Sequence, residues 1–521
     1  MAYIQVVRLT KSFGGHELFH DLSFYIGEGE RVGLVGKNGC GKTTLLRMMA
    51  GLDQPDSGTI RLARRMSVRL LSQTPDPAAD MAAACQEGLF PDRSDPLGRL
   101  GSGIDLSGQP EHLSGGEQTR LALGCFLAEQ PDLMLLDEPT NNLDFSGIQT
   151  VIEQLAARSG SMVIVSHDRY LLDRLVTRIL ELDGGRVTEY AGNYTFYRQE
   201  KERLYQEQRH RYEDERKQQR QIEEAIRQTR QWAEKAHRNS TKPDSSGLTM
   251  GVKEKKRAKA KKMDKKVKND VKRLERLITG GERKPSADPK YTFALSTEGR
   301  HGKRILEAVD LTMGYHDAPL FLPSRFHIFR QEKVALFGPN GCGKTTLIRM
   351  IQGLEKPTGG DLRLSSGCRP HVLAQNLEIL PGDRTLLDYL TDKLNGLSGA
   401  DRAQLAQMGL TLRHLNQPAN SFSPGEQMKI KLSELILSSQ DFIILDEPTN
   451  YLDLHAREQL EQALADYPGT MMIVSHDIYL LRRLCDKVLV FDNRRIRRLE
   501  TSFSEYMDSQ QAGFSDKLKS T

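Results

Sequence analysis

The chain has 521 residues, of which 38% are hydrophobic and 27% charged, and a formal charge of +5. That length exceeds one hydrophobic core and predicts about two to four domains. No apolar run approaches the ~20 residues of a membrane span, and Met1-Ala2-Tyr3-Ile4-Gln5 lacks the basic and apolar regions of a signal peptide. The cysteines, Cys40, Cys85, Cys125, Cys342, Cys368 and Cys485, form no CxxC pair, which argues against zinc, iron–sulfur and disulfide frameworks and for free thiols.

In chain order, Arg31 to Val35 is a short apolar run that ends in a glycine turn and leads into a helical pattern. The turn reads Gly36-Lys37-Asn38-Gly39-Cys40-Gly41-Lys42-Thr43-Thr44. Leu133 to Leu136 is a further buried-strand pattern, followed by Asp137-Glu138-Pro139-Thr140-Asn141, and Met162 to Val165 another, followed by Ser166-His167-Asp168. All of this returns 302 to 309 residues later. Gly338-Pro339-Asn340-Gly341-Cys342-Gly343-Lys344-Thr345-Thr346 follows Val334 to Phe337, Asp446-Glu447 follows Phe442 to Leu445, and His476 follows Met471 to Val474. Glu138 to His167 and Glu447 to His476 both span 29 residues. A repeat of this length, with buried strands alternating with helices, predicts two homologous α/β domains with mostly parallel sheets.

The middle, about 195 to 280, reads differently. Tyr205, Tyr212, Ile222, Ile226 and Thr229 mark one sparse apolar seam, and Val267, Val271, Leu274 and Ile278 a second. Thr241-Lys242-Pro243-Asp244-Ser245-Ser246-Gly247 breaks the helix between them. The prediction is an antiparallel helical hairpin turning near 240 to 250, its longer helix about 40 residues and ~60 Å long. Residues 251 to 275 carry 12 Lys/Arg and 4 Asp/Glu, a net of +8, so the positive charge is concentrated here.

GxxxxGK[ST] after a strand is a phosphate-binding loop, because its glycines let backbone N–H groups face phosphates at a helix N-terminus. Gly36, Asn38, Gly39, Gly41, Thr44 and their counterparts Gly338, Asn340, Gly341, Gly343, Thr346 shape the two loops. Lys42 and Lys344 are expected on the β- and γ-phosphates, and Thr43 and Thr345 on Mg²⁺. Asp137 and Asp446, each ending a strand, are expected to hold the same ion, with Glu138 and Glu447 orienting or deprotonating the attacking water. Leu113-Ser114-Gly115-Gly116-Glu117-Gln118 is a second anion-binding turn opening a helix.

This combination resembles the ATP-binding-cassette family over about 1 to 190 and 300 to 500. The fold class is then α/β: two P-loop ATP-binding-cassette domains joined by a helical-hairpin linker. The expected boundaries are 1–194, linker 195–280, connector 281–303, second cassette 304–505 and tail 506–521. In that family the halves meet head to tail over ATP. The resemblance implies that Lys42 and Glu138 face Ser423 and Gly425, that Lys344 and Glu447 face Ser114 and Gly116, and that Gly115, Glu117 and Glu426 of the two signatures also bind ATP. It places Gln73 and Gln375 at a Mg²⁺-sensing position and His167 and His476 at the γ-phosphate. Phe13 and Tyr315 stand where an aromatic stacks on adenine, with core packing the alternative. The second signature, Phe422-Ser423-Pro424-Gly425-Glu426-Gln427, departs from the first because proline lacks an N–H, which predicts two competent but unequal sites.

Two cassettes with a helical linker and Tyr190-Ala191-Gly192-Asn193-Tyr194-Thr195-Phe196-Tyr197 at its start resemble the ABC-F family of translation factors. That resemblance implies a cytoplasmic, monomeric protein with an intramolecular cassette dimer and neither membrane nor DNA partner. It implies that the ATP-bound protein occupies the ribosomal exit site and directs its linker toward P-site tRNA and the peptidyl-transferase centre. Lys253, Lys255, Lys256, Arg257, Lys259, Lys261 and Lys262 suit rRNA and tRNA phosphates, and Leu248 and Met250 would be the apolar residues of the tip. With the linker as principal insertion, the chain resembles the antibiotic-resistance members. A housekeeping ABC-F factor is the alternative within the family, and the ATPase subunit of a membrane transporter the alternative outside it.

Overall fold

The computed structural model describes residues 2–14, 16–73, 115–241, 250–280, 303–315, 318–368, 370–373, 382–408, 410–438, 441–450 and 452–510. The chain divides into two compact units, Met1–Thr195 with Pro289–Thr521, and Phe196–Asp288.

The first unit contains the same strand arrangement twice. In its N-terminal half the strands are β1 (Ala2–Phe13), β2 (His16–Gly27), β3 (Arg31–Gly36), β4 (Ser57–Leu62), β5 (Val68–Leu71), β6 (Leu133–Asp137), β7 (Ser161–Val165), β8 (Arg178–Asp183) and β9 (Arg186–Ala191). They form a six-stranded sheet ordered β5-β6-β7-β3-β8-β9 and a three-stranded antiparallel sheet ordered β2-β1-β4. The six-stranded sheet is parallel except for the edge pair β8-β9. Strands β6 and β7 are buried along their whole length, as expected of parallel strands covered on both faces. One core, including Ile4, Phe19, Leu45, Leu135 and Val163, fills the space between the two sheets.

The C-terminal half repeats this with β10 (Arg304–Tyr315), β11 (Ala318–Phe329), β12 (Lys333–Phe337), β13 (Gly359–Leu364), β14 (His371–Leu373), β15 (Phe442–Asp446), β16 (Thr470–Val474), β17 (Lys487–Asp492) and β18 (Arg495–Leu499). The orders are β14-β15-β16-β12-β17-β18 and β11-β10-β13, strand for strand those of the first half. Helices Leu386–Lys393 and Gly399–Gln407 form a small added layer with its own core of Leu386, Leu390, Leu405, Leu415, Phe422 and Ile430. That core carries the signature helix Pro424–Leu437.

The second unit is built on two helices. The first runs from Tyr194 to Thr241 and the second from Met250 to Gly280. At 48 residues, Tyr194–Thr241, the first spans about 72 Å at 1.5 Å per residue, longer than the about 40 residues that the sequence predicts. The pairing is antiparallel: Gln219 Nε2 donates to Leu277 O at 3.4 Å, and Ile226 and Arg230 line a crevice with Val271 and Leu274. From 205 onward the partly or fully buried positions on the first helix include 205, 208, 212, 215, 219, 222, 226 and 229, which alternate steps of three and four, with 207 the one addition outside that spacing. That is a coiled-coil seam. The predicted seam needs one correction: Ile278 is exposed, and Leu277 is the half-buried residue facing the partner helix. Among the described residues no helix is long and apolar enough to cross a membrane.

Candidate nucleotide sites between the repeated halves

Each phosphate-binding loop lies between a central strand, β3 or β12, and a short helix, Lys42–Met49 or Lys344–Ile351. The residue before each helix, Gly41 or Gly343, has φ of 99° or 107°, and a Cβ on Gly41 would lie 2.6 Å from the Phe19 ring. Only glycine fits this left-handed, crowded position. Lys42 Nζ donates to the carbonyls of Gly36 (2.8 Å) and Lys37 (3.1 Å), and Lys344 Nζ to those of Gly338 (2.9 Å) and Pro339 (2.8 Å). Each ammonium therefore sits inside its own loop.

Behind each loop the strand ends in the acidic pair. The Thr43 hydroxyl donates to Asp137 and that of Thr345 to Asp446. Burial raises both aspartates above the ordinary carboxylate range despite these bonds and the nearby lysines. Asp137 Oδ2 is buried without a hydrogen-bond partner. An oxygen-rich pair of this kind, with an acceptor left open, fits a hard cation such as Mg²⁺. No cluster of three or more His, Cys, Asp or Glu residues exists among the described residues to hold a metal by itself.

Glu138 and Glu447 have φ of 52°, a left-handed conformation that non-glycine residues adopt rarely and that marks functional sites. Both are buried. Glu138 Oε2 accepts from His167 N at 3.2 Å, and His167 Nε2 lies 3.6 Å from its Oε1. Glu447 repeats this with His476 at 3.3 and 3.4 Å. Burial pushes Glu138 up to about 7 and Glu447 up to about 8. The same burial, assisted by Lys42 or Lys344, pulls His167 down to about 3 and His476 to about 4. Both histidines are therefore neutral near pH 7.

The two halves meet at these loops. Asp453 caps the helix Leu454–Ala465 through Ala456 N and, with its other oxygen, accepts from Asn38 N of the first half at 3.1 Å. Asp144 does the reciprocal: it caps Phe145–Ala156 through Gly147 N and accepts from Asn340 N of the second half at 3.2 Å. These backbone N–H bonds hold both carboxyls below the ordinary range although burial opposes them. Asn142 stands two residues before Asp144, and its carbonyl would stand 2.7 Å from a Cβ on Gly116. The first signature glycines thus lie against the turn that bonds the second half's Asn340. The sequence reading missed Asp144 and Asp453, although Leu-Asp recurs at the repeat offset after each acidic pair.

At the second signature, Ser423 N and Oγ both donate to Glu426, and Pro424 occupies the first helical turn, where its fixed φ suits the helix and its missing N–H leaves one donor fewer. The helix of the first signature begins at Gly115, with Gly116 and Glu117 in its first turn. Gln73 is exposed just beyond β5. Phe13 and Tyr315 end β1 and β10 with exposed rings; Lys11 Nζ lies 5.2 Å from the Phe13 ring centre, and Tyr315 OH donates to Glu355. Ser114, Gln375 and Leu248 lie outside the described residues. Met250, Lys253, Lys255, Lys256 and Arg257 belong to the helix Met250–Gly280, on which Lys259, Lys261 and Lys262 are exposed.

A family model described as ABC transporter matches residues 19–141 and again 322–450, and a second of that description matches 180–243. The ribosome protection protein VmlR of Bacillus subtilis is 36% identical over 484 residues, covering 92% of this chain and 85% of that protein. ABC transporter F family member 2 of Arabidopsis thaliana is 30% identical, covering 93% of this chain and 76% of its own. The energy-dependent translational throttle protein EttA of Mycobacterium tuberculosis is likewise 30% identical, over 93% and 90%. Among solved structures, an archaeal ribosome recycling factor in complex with a ribosomal stalk protein shares the fold at a TM-score of 0.57 and 19% identity, over 97% of this chain and 92% of that one. With paired phosphate loops bonded across the halves and these relatives matched along nearly the whole chain, the protein belongs to the ABC-F family of ATP-binding-cassette proteins and is an ATPase.

Proposed function

We propose that this ATPase acts on the ribosome in the cytoplasm, as a monomer whose two cassettes close on two ATP molecules, and protects the peptidyl-transferase centre from antibiotics. The observation that carries the composite sites is the reciprocal pair of bonds, Asn38 N to Asp453 and Asn340 N to Asp144. Lys42 and Lys344 leave their loop carbonyls for the phosphates. Glu138 and Glu447, held by the main-chain N–H of His167 and His476, accept a proton from the attacking water. Thr43 with Asp137 and Thr345 with Asp446 would hold Mg²⁺, with Gln73 and Gln375 at the sensing positions, and the ion would supply positive charge against the phosphates. Ser114, Gly116, Ser423 and Gly425 close the sites from the opposite half, and Phe13 and Tyr315 stack on adenine.

The ribosomal target is supported by the likeness to the ribosome protection protein and by the basic hairpin, whose exposed Lys259, Lys261 and Lys262 suit RNA phosphates. Exit-site binding and reach toward P-site tRNA follow from the same resemblance. A housekeeping role in translation is the second reading, supported by the comparable likeness to the translational throttle protein. The decisive experiment expresses the chain and a hairpin-tip deletion in a drug-sensitive bacterium. Resistance that needs the tip supports protection; unchanged susceptibility with ATP-dependent ribosome binding moves the function to the housekeeping reading. In parallel, the E138Q/E447Q chain should accumulate on ribosomes in ATP, and its failure to do so removes the ribosomal reading.

A further inference from the structure

The two sites obey the repeat in their loops, acidic pairs and histidines, but not in the charges that surround them. Arg457, in the second half, donates from Nη1 to the carbonyl of His167 in the first half at 2.9 Å. Its Nε donates to Leu452 O at 3.1 Å, beside the Asp453 that bonds Asn38. Asp477, also in the second half, lies 3.5 Å from Arg457 Nη1 and is held through both oxygens, at 2.8 Å each, by Arg169 of the first half. Arg169 is fully buried and also pairs with Glu461, which pairs in turn with Arg483. At the repeat offset, Arg457 corresponds to Ile148, Arg169 to Ile478 and Glu461 to Ile152. Three charged members of the network thus have isoleucine at the corresponding positions of the repeat, and the isoleucine that corresponds to Arg457 has no donor to offer the His476 carbonyl.

We propose that Arg457 is a positioning residue supplied across the interface to the first ATP site alone, where it fixes the His167 main chain that aims Glu138. His167 connects the two: its carbonyl takes the arginine's bond and its N–H donates to Glu138 Oε2 at 3.2 Å. Because Arg457 belongs to the opposite half, Glu138 is set only while the halves are together, and the first site is coupled to closure by a bond the second site lacks. The charge of Arg457 acts to lower both Glu138 and Glu447, whereas its hydrogen bond goes to the His167 carbonyl of the first site. The inference rests on the reading of Glu138 and Glu447 as the hydrolytic carboxylates.

The test uses the full chain and steady-state ATP turnover. E447Q leaves the first site active and E138Q the second. R457M in the E447Q chain should lower kcat about tenfold, or about 1.4 kcal/mol, with KM changed less than about twofold. R457K, which keeps one donor, should recover part of that loss. The same substitution in the E138Q chain should lower kcat at least about fivefold less. ATP-induced thermal shifts report folding, and a variant that fails to fold is replaced by the R457K comparison. Equal kcat losses in both chains, a change confined to KM, no recovery by lysine, or no loss at all would each overturn the assignment. Full turnover in E138Q/E447Q would instead overturn the reading of the glutamates.

Discussion

At the scale of single residues, burial governs the chemistry. Glu138 and Glu447 are pushed up to about 7 and about 8 because the fold withdraws them from water and supplies only partial compensation. His167 and His476 are pulled so low that they do not titrate near neutrality. The free-enzyme profile should therefore have its acid limb set by the glutamates: kcat/KM for ATP should rise as pH increases through about 7 to 8, measured by initial rates. With respect to stability the sign is opposite. A carboxyl whose folded pKa is raised favours the fold while protonated, so this contribution is lost as pH rises from the ordinary carboxylate range through 7 to 8. Gly116 is the other informative position. Gly116→Ala places a methyl 2.7 Å from Asn142 O, so the turn bonded to Asn340 must shift. Turnover by the second site, read in the E138Q chain, should fall roughly tenfold.

At the scale of elements, the hairpin is held by a sparse apolar seam. Its seam alternates steps of three and four, but Gln208, Glu215, Gln219 and Thr229 occupy seam positions, and Ile222 and Ile226 are its buried aliphatic anchors. Truncating both to alanine should cost about 2 kcal/mol each and open the hairpin locally. Limited trypsin digestion should then cut the Lys- and Arg-rich helices earlier while the rest of the chain keeps its resistance. By contrast, the central strands β6, β7, β15 and β16 are buried along their whole length, and cleavage there requires global unfolding.

At the scale of the whole molecule, Asp168 and Asp477 show how the repeat is broken. They occupy corresponding positions, both capping short helices after the histidine. Burial pushes Asp168 up to about 6, whereas Arg169 and Arg457 overcome the same burial at Asp477 and hold it below the ordinary range. Removing Arg169 leaves Asp477 and Glu461 buried with fewer partners. R169M should therefore lose about 3 kcal/mol, seen as a lower Tm. The loss should be greatest near neutral pH and shrink as pH falls through the depressed pKa of Asp477, because its contribution is present above the unfolded value and disappears on protonation. Replacing Arg169 and Glu461 together by isoleucine, as the other half has them, should restore part of the loss.

The two cassettes, both phosphate loops, both acidic pairs, the histidines and the basic hairpin are legible in the order of the amino acids alone. Each of these is written in contiguous residues, because phosphates are held by consecutive main-chain N–H groups and because strands and helices carry their own periodicities. The chain also carries each motif twice, at offsets of 302 to 309 residues. The links of Asp144 and Asp453 to the opposite loop, the half-burial of Leu277 in place of Ile278, and the bond from Arg457 to the His167 carbonyl come instead from the fold. Those facts depend on which distant side chains share a low-dielectric interior. A residue that occurs once, some 300 positions from its partner, leaves no local pattern from which its charge environment can be read.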